Sequence, residues 1–266
     1  MFTRRALLTT LPMALCLPAQ ATTGKPTSAS QTEILHLAAA RALAYTRELP
    51  DFICTETVRR SDNVRGLGWK LKDVLGLQVG ISERREYYKL LTYNGRPTEL
   101  SYRQVGGALT EGEFGSLLAE IFRPGIATFH WSKTLQLAGR TIQVFQYRVR
   151  REKATYHLEY GYRSGQPVST TVGHKGLIWI DEETARVTRV EQAAEIPRSF
   201  PLKVSKTILE FSWVEIAGQR WLLPRHASST MGNSEILTNN EVEFSNYRKF
   251  SADSSVTFVA PEREQP

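Results

Sequence analysis

The sequence has almost no cysteine. Of the two present, Cys16 lies in a leader segment and Cys54 is left alone in the mature chain. An intramolecular disulfide is therefore excluded, and the fold must rest on core burial. No stretch approaches the ~20 consecutive apolar residues of a bilayer-spanning helix, so an integral membrane protein is not expected. The five histidines, His36, His130, His157, His174 and His226, are scattered. No His-x-His, His-Glu-x-x-His or cysteine–histidine pair occurs, so no metal site of recognised spacing is encoded. A serine-hydrolase elbow is missing as well, because Gly161-Tyr-Arg-Ser-Gly165 has the wrong spacing and falls in a hairpin turn. Gly107-Ala-Leu-Thr-Glu-Gly112 opens like a phosphate loop, but Glu113 stands where the lysine belongs and would repel phosphate. Without a cofactor motif or a local catalytic motif, the chain reads as non-enzymatic. A hydrolase assembled from distant residues ranks third among the alternatives.

What is present begins with an export pattern. Residues 1–21 combine Arg4 and Arg5, a short apolar run and a small-x-small end at Ala19-Gln20-Ala21. Cleavage after Ala21 would deliver the chain to the periplasm or the exterior. Thr3-Arg4-Arg5-Ala6-Leu7-Leu8 also resembles a twin-arginine signal, and Leu15 before Cys16 departs from a lipobox. Removing the leader leaves 32 basic against 27 acidic residues, a net charge of +5. Outside the cytoplasm such a balance suits anionic envelope surfaces rather than nucleic acid.

Residues 22–30, rich in Thr, Ser, Gly and Pro, read as a disordered lead. From Gln31 to Leu49, Ile34, Leu37, Ala38, Arg41, Leu43, Ala44 and Tyr45 recur at helical spacing. Ser30 is placed to cap this helix, and Pro50 to stop it. The period then changes to two. Strands are predicted over 52–60, 70–81, 85–93, 128–137, 141–150, 155–163, 169–180, 186–196, 203–216, 220–229 and 235–248, joined by turns such as Asn94-Gly95, Ala138-Gly139 and Ala217-Gly218. Short connections between successive strands imply an antiparallel meander. Between Tyr93 and Thr128, Thr110-Glu-Gly-Glu113 fits a capping box ahead of the stripe Phe114, Leu117, Leu118 and Ile121, giving a second, short helix in an insertion. This insertion reads as a packed connector ahead of a gate. A single domain over 31–259 is expected, with 260–266 as a flexible tail.

Individual candidates are modest. Cys54 reads as a packed core thiol, His36 and His130 as ordinary structural or surface residues, and Asp181-Glu182-Glu183 as solvated turn residues. Basic and aromatic residues alternate from Tyr147 to His157, and again at Arg84, Arg85, Tyr87 and Tyr88. They offer a face for anionic headgroups, or simply the solvent side of a sheet. Aromatic rings along the strands serve as core or as an apolar cleft. Trp131, Trp179, Trp213, Arg148 and Arg150 are the candidate ligand contacts drawn from these two sets.

The most informative stretch is Gly176 to Val190, two β-patterned runs about an acidic turn. Leu177 and Trp179 point one way and Ile178 and Ile180 the other, so both faces of this strand need a cover. One cover is the long helix, and what meets the other face separates a carrier from a closed module. This hairpin, together with Phe211-Ser-Trp-Val-Glu-Ile-Ala-Gly-Gln-Arg-Trp-Leu-Leu-Pro224 and Asn246-Tyr-Arg-Lys-Phe250, resembles the lipoprotein-sorting superfamily of LolA, LolB and RseB type. The resemblance implies an α+β fold in which a large curved antiparallel sheet, an incomplete β-barrel, wraps the N-terminal helix. It also implies a lipid, acyl chain or lipoprotein as partner, held in an apolar cleft. The alternative is an interaction or sensor module that binds protein through a sheet edge.

Overall fold

The computed structural model describes residues 28–82, 85–109, 114–161 and 166–250. The expected leader and its cleavage site, the expected capping box at 110–113, Arg84, Tyr162 and the expected tail at 260–266 lie outside them, as do residues 22–27 of the expected disordered lead, whose last three residues are helical instead.

The N-terminal helix α1 spans Ser28–Glu48. Ser30 lies inside it rather than at its cap, and the helix ends before Pro50 as expected. Its buried side is Ile34, Ala38, Ala42 and Tyr45, a seam at spacings of three and four that Leu49 continues just past the helix end. Leu37, assigned to the apolar stripe, is exposed.

Strands follow as β1 (Phe52–Val64), β2 (Trp69–Ser82), β3 (Arg85–Tyr93) and β4 (Arg96–Pro97). The helix α2 (Ser116–Phe122) precedes β5 (Ala127–Leu137), β6 (Arg140–Val149), β7 (His157–Tyr160) and β8 (Val168–Thr171). The chain continues through β9 (Gly173–Asp181), β10 (Arg186–Glu195), β11 (Val204–Ile216), β12 (Gln219–Gly232) and β13 (Ile236–Lys249). Two expected strands are corrected: among its described residues the run at 155–163 is strand only over His157–Tyr160, and the run at 169–180 divides into β8 and β9. Among the described residues β7 and β8 pair only with each other, outside the main sheet.

The main sheet has eleven antiparallel strands in the order β4-β3-β2-β1-β13-β12-β11-β10-β9-β6-β5. The first long strand thus pairs with the last, and among the described residues β4 and β5 form two unpaired edges, so the barrel is incomplete. The segment between β4 and β5 carries the chain from one edge to the other. It acts as the expected connector, with Phe114, Leu118, Ile121 and Phe122 in the same core as α1. The sheet curls around α1. Burial raises the pKa of the Tyr45 hydroxyl, Glu86 on β3 raises it further, and Arg186 on β10 lowers it. In a flat sheet those two strands, six steps apart, would be separated by roughly 29 Å.

Both faces of β9 are covered. Ile178 and Ile180 are fully buried in the main core. Leu177 and Trp179 pack on the outer face against Leu135, Ile142 and Val144, and the Arg189 guanidinium lies 5.0 Å from the Trp179 ring. The turn after β9 is more structured than expected. Asp181 is buried rather than solvated, accepting hydrogen bonds from Thr184 N–H at 2.9 Å, from the Thr184 hydroxyl at 2.8 Å and from Arg140 Nη2 at 2.8 Å. Glu183 stays exposed. Burial pushes the Asp181 carboxyl up, but the bonds from Arg140 and Thr184 outweigh it and hold the carboxyl below its ordinary range.

Candidate functional site

Strand register places two contrasting rungs side by side on the inner face. One runs Phe145, Ile178, Val190, Leu209, Ala227, Val242, Val58 and Leu75, each residue opposite the next. Every member is apolar and buried, and this rung belongs to the core that holds α1. Two residues along each strand, the next rung runs Tyr147, Gly176, Gln192, Thr207, Ser229, Asn240, Arg60 and Asp73. It carries a hydrogen-bonding group on every strand except at Gly176. Alternation along a strand sends both rungs to the same face, so the inner surface changes from oil to polar groups within one step.

The polar rung is knit by its own bonds. Arg60 donates to both carboxylate oxygens of Asp73 at 2.6 Å and to the carbonyl of Gly106 at 2.5 Å. Asn240 donates to the Ala108 carbonyl at 3.0 Å. These contacts pin the connector above the rung, and they explain Gly107. At its φ of 82° a side chain is disfavoured, and a Cβ would stand 3.0 Å from Arg60 Nη1. At the other end, Thr207 and Ser229 hydroxyls meet at 3.0 Å, and Tyr156 and Ser205 hydroxyls at 2.8 Å.

His174 sits at the β9 end of this belt, fully buried. The Gln192 amide nitrogen is 3.1 Å from its Nδ1, and the Tyr147 hydroxyl is 3.4 Å from the same atom. Nε2 faces Glu120 Oε1 of α2 at 3.6 Å, while Thr155 N–H donates to the same oxygen at 2.6 Å. Tyr147 and Tyr156 rings stand edge-on to the imidazole at 5.6 and 5.8 Å. Burial raises the hydroxyl pKa of both tyrosines, with Ser205 opposing it at Tyr156. Burial also pushes Glu120 up, but His174 and the hydrogen bonds from Thr155 prevail and hold its carboxyl below the ordinary range. A depressed carboxylate stabilises the fold above its unfolded pKa, and that contribution is lost as pH falls through the folded value. Urea midpoints measured from pH 7 down to pH 3 should therefore fall below about pH 4, and Glu120→Gln should flatten part of that fall.

Above the polar rung opens a cleft of about 640 Å³. Gln192, Thr207, Tyr156 and Glu120 bring polar groups to it, while Leu109, Leu117, Leu158, Leu202, Leu209 and Met231 give apolar wall. The volume lies within the range of small-molecule sites. By contrast, a space beside Tyr45 under α1, next to Ala42, Leu118 and Phe211, measures only about 20 Å³, so the apolar interior there is closed by packing.

The fold is similar to that of LolA-superfamily proteins. A LolA superfamily protein from Nitrosomonas europaea matches at 11% identity and a TM-score of 0.36, covering 83% of this chain and 93% of that one. A solved structure described as an outer membrane lipoprotein-sorting protein domain, from Vibrio parahaemolyticus, matches at 13% and 0.37, covering 82% and 93%. A DUF1329 family protein from Desulfovibrio piger matches at 11% and 0.37, covering 84% and 94%. No family profile matches the sequence, and no curated protein matches it. At these values the likeness is one of layout, and the site stands on this chain's own residues.

The five sequence-derived candidates do not converge. Trp131 packs against the main core and donates its indole N–H to Gln143 at 3.0 Å. Trp179 is on the outer face. Trp213, partly exposed, lies between the Arg186 and Arg220 guanidinium groups at 5.5 and 5.4 Å. Arg148 is exposed and donates to Glu195 at 3.0 Å, and Arg150 is exposed beside it. The basic and aromatic alternation divides likewise, its tyrosines Tyr147 and Tyr156 turning into the belt. Cys54 is buried in the core, and His36 and His130 are exposed. Sequence reading missed Glu120, His174, Gln192 and Thr207. Their one signal was a polar residue on the apolar parity of a strand or helix.

Proposed function

We propose that this is an exported, non-enzymatic protein that binds an amphiphile, a lipid or the lipidated end of a partner, in the cleft above the polar rung. The observation that carries the reading is the pairing of that rung with six apolar wall residues in one open space. A ligand's hydrogen-bonding group meets Gln192, Thr207 and Tyr156, and its chain lies along Leu109, Leu117, Leu158, Leu202, Leu209 and Met231. Affinity comes from apolar burial, and the polar groups set orientation. The leader supports export. The Glu120–His174 contact serves to hold α2 on the sheet, since the imidazole is fully enclosed.

The test is saturable binding of cis-parinaric acid, with native mass spectrometry of protein purified from envelope extracts. Leu117→Glu and Met231→Glu change half-buried wall positions and should weaken probe binding by roughly tenfold or more, since a buried leucine-sized contact contributes about 1.5–3 kcal/mol. Probe binding that ignores both changes, together with repeated absence of bound mass, would overturn the reading. A second reading, a module that pairs a protein strand, draws on the unpaired edges β4 and β5. It expects neither probe binding nor co-purifying lipid.

A further inference from the structure

The β1–β2 hairpin carries its exposed end out beside the cleft. Every residue from Val64 to Lys72 is exposed, and the stretch reads Val-Arg-Gly-Leu-Gly-Trp-Lys-Leu-Lys. Leu67 is 79% exposed, Leu71 62% and Trp69 50%. Ile236, opposite Val64 on β13, adds another apolar side chain to this end of the sheet. The tip is ordered by its own bonds, Leu67 N–H donating to the Val64 carbonyl at 3.1 Å and Arg65 N–H to the Glu235 carbonyl at 2.9 Å. Its exposed oil is therefore a built feature of a folded turn.

Charge is interleaved with that oil. Along β2 the alternation puts Trp69 and Leu71 on one side and Lys70 and Lys72 on the other. Arg65 pairs with Glu235 at 2.8 Å in an exposed contact, and Lys72 with Asp62 at 3.5 Å. Among the described residues Lys70 has no ion pair. Exposed pairs of this kind are weak and exchange partners readily. The tip also adjoins the cleft: Lys72 reaches Gly107, a cleft residue, and Asp62 accepts a hydrogen bond from Thr238, which stands opposite Met231 of the cleft wall.

We propose that this hairpin tip docks on a lipid bilayer bearing anionic headgroups. Leu67, Trp69 and Leu71 enter the interface, where tryptophan settles at headgroup level, and Arg65, Lys70 and Lys72 extend their stems to phosphate. A nine-residue tip is small against the ~800 Å² per partner of a stable protein interface, whereas a few inserted side chains with adjacent cations suffice for peripheral membrane contact. The docking goes beyond amphiphile binding and does not rest on it.

Flotation with vesicles of phosphatidylcholine alone, and of phosphatidylcholine and phosphatidylglycerol at about three to one, tests the proposal. The protein should float with the anionic vesicles, and the variant L67S/W69S/L71S should bind them at least ~30-fold more weakly while keeping its thermal midpoint and its affinity for cis-parinaric acid. Lys70→Gln should cost roughly fivefold on anionic vesicles and nothing on neutral ones. Three results would overturn the proposal: no flotation, equal binding to both vesicle types, or a dimer in sedimentation that L67S/W69S/L71S converts to monomer, which would make the tip an interface between copies. Loss of probe binding by the wall variants with flotation intact would leave docking standing, because the two readouts are separate.

Discussion

Asp73→Ala is expected to cost about 3–5 kcal/mol of folding stability, read as a large drop in the urea midpoint, because it strands the Arg60 guanidinium without its carboxylate. Both side chains of the pair are almost wholly enclosed. Arg60 would keep only the Gly106 carbonyl, and Tyr93 would lose the acceptor it reaches at 3.3 Å. The double variant Arg60→Met with Asp73→Leu should recover most of the loss, since a well-packed apolar pair commonly replaces a buried ion pair at little cost. It should also free the connector from its Gly106 anchor, which faster amide exchange near residues 106–108 would show. A small loss in Asp73→Ala would mean that water reaches the guanidinium and that the rung is open at this end.

Gly176→Val should be nearly as damaging, at ~3 kcal/mol or more, for a different reason. Gly176 stands opposite Gln192, and a Cβ there would fall 1.7 Å from the Glu191 carbonyl oxygen. The obstacle is backbone, so β9 and β10 would have to separate in the middle of the sheet. Gly161→Ala is the control, having open space around its Cα. It should change stability by less than ~0.5 kcal/mol. Equal midpoints for the two variants would show that β9 can shift away from β10 without loss.

Much of the fold was readable because its signals are local. The α1 seam repeats every three to four residues and stops at a proline. The strand hairpins carry turn pairs such as Asn94-Gly95 and Ala138-Gly139, whose positive φ angles are those two-residue turns favour. The Asp181-Glu-Glu-Thr184 turn was legible as a turn, but not as a buried one, because Arg140 comes from a strand 41 positions earlier. The candidate site was illegible for the same reason on a larger scale. Its polar rung draws Asp73, Arg60, Asn240, Ser229, Thr207 and Gln192 from six strands, and no short window of sequence holds more than two of them. Parity within one strand could have warned against part of the ligand set: with Phe145, Tyr147 and Val149 turned inward, Arg148 and Arg150 must face out. The hydrophobic alternation of the 169–180 stretch did not reveal its break at Val172, whose N–H instead donates to the Tyr156 carbonyl.

The pairing of β1 with β13 sets the order in which the molecule can be finished. A ribosome delivers Phe52–Val64 nearly two hundred residues before Ile236–Lys249, the strand it must pair with. Until then β1 presents an unpaired edge, and the polar rung lacks Asn240 between Arg60 and Ser229. Closure over so long a separation is slow, and open edges invite pairing with the wrong chain. Completion of this fold is thus an event of the whole polypeptide, and a chaperone acting on it must shield β1 until the last strand is made.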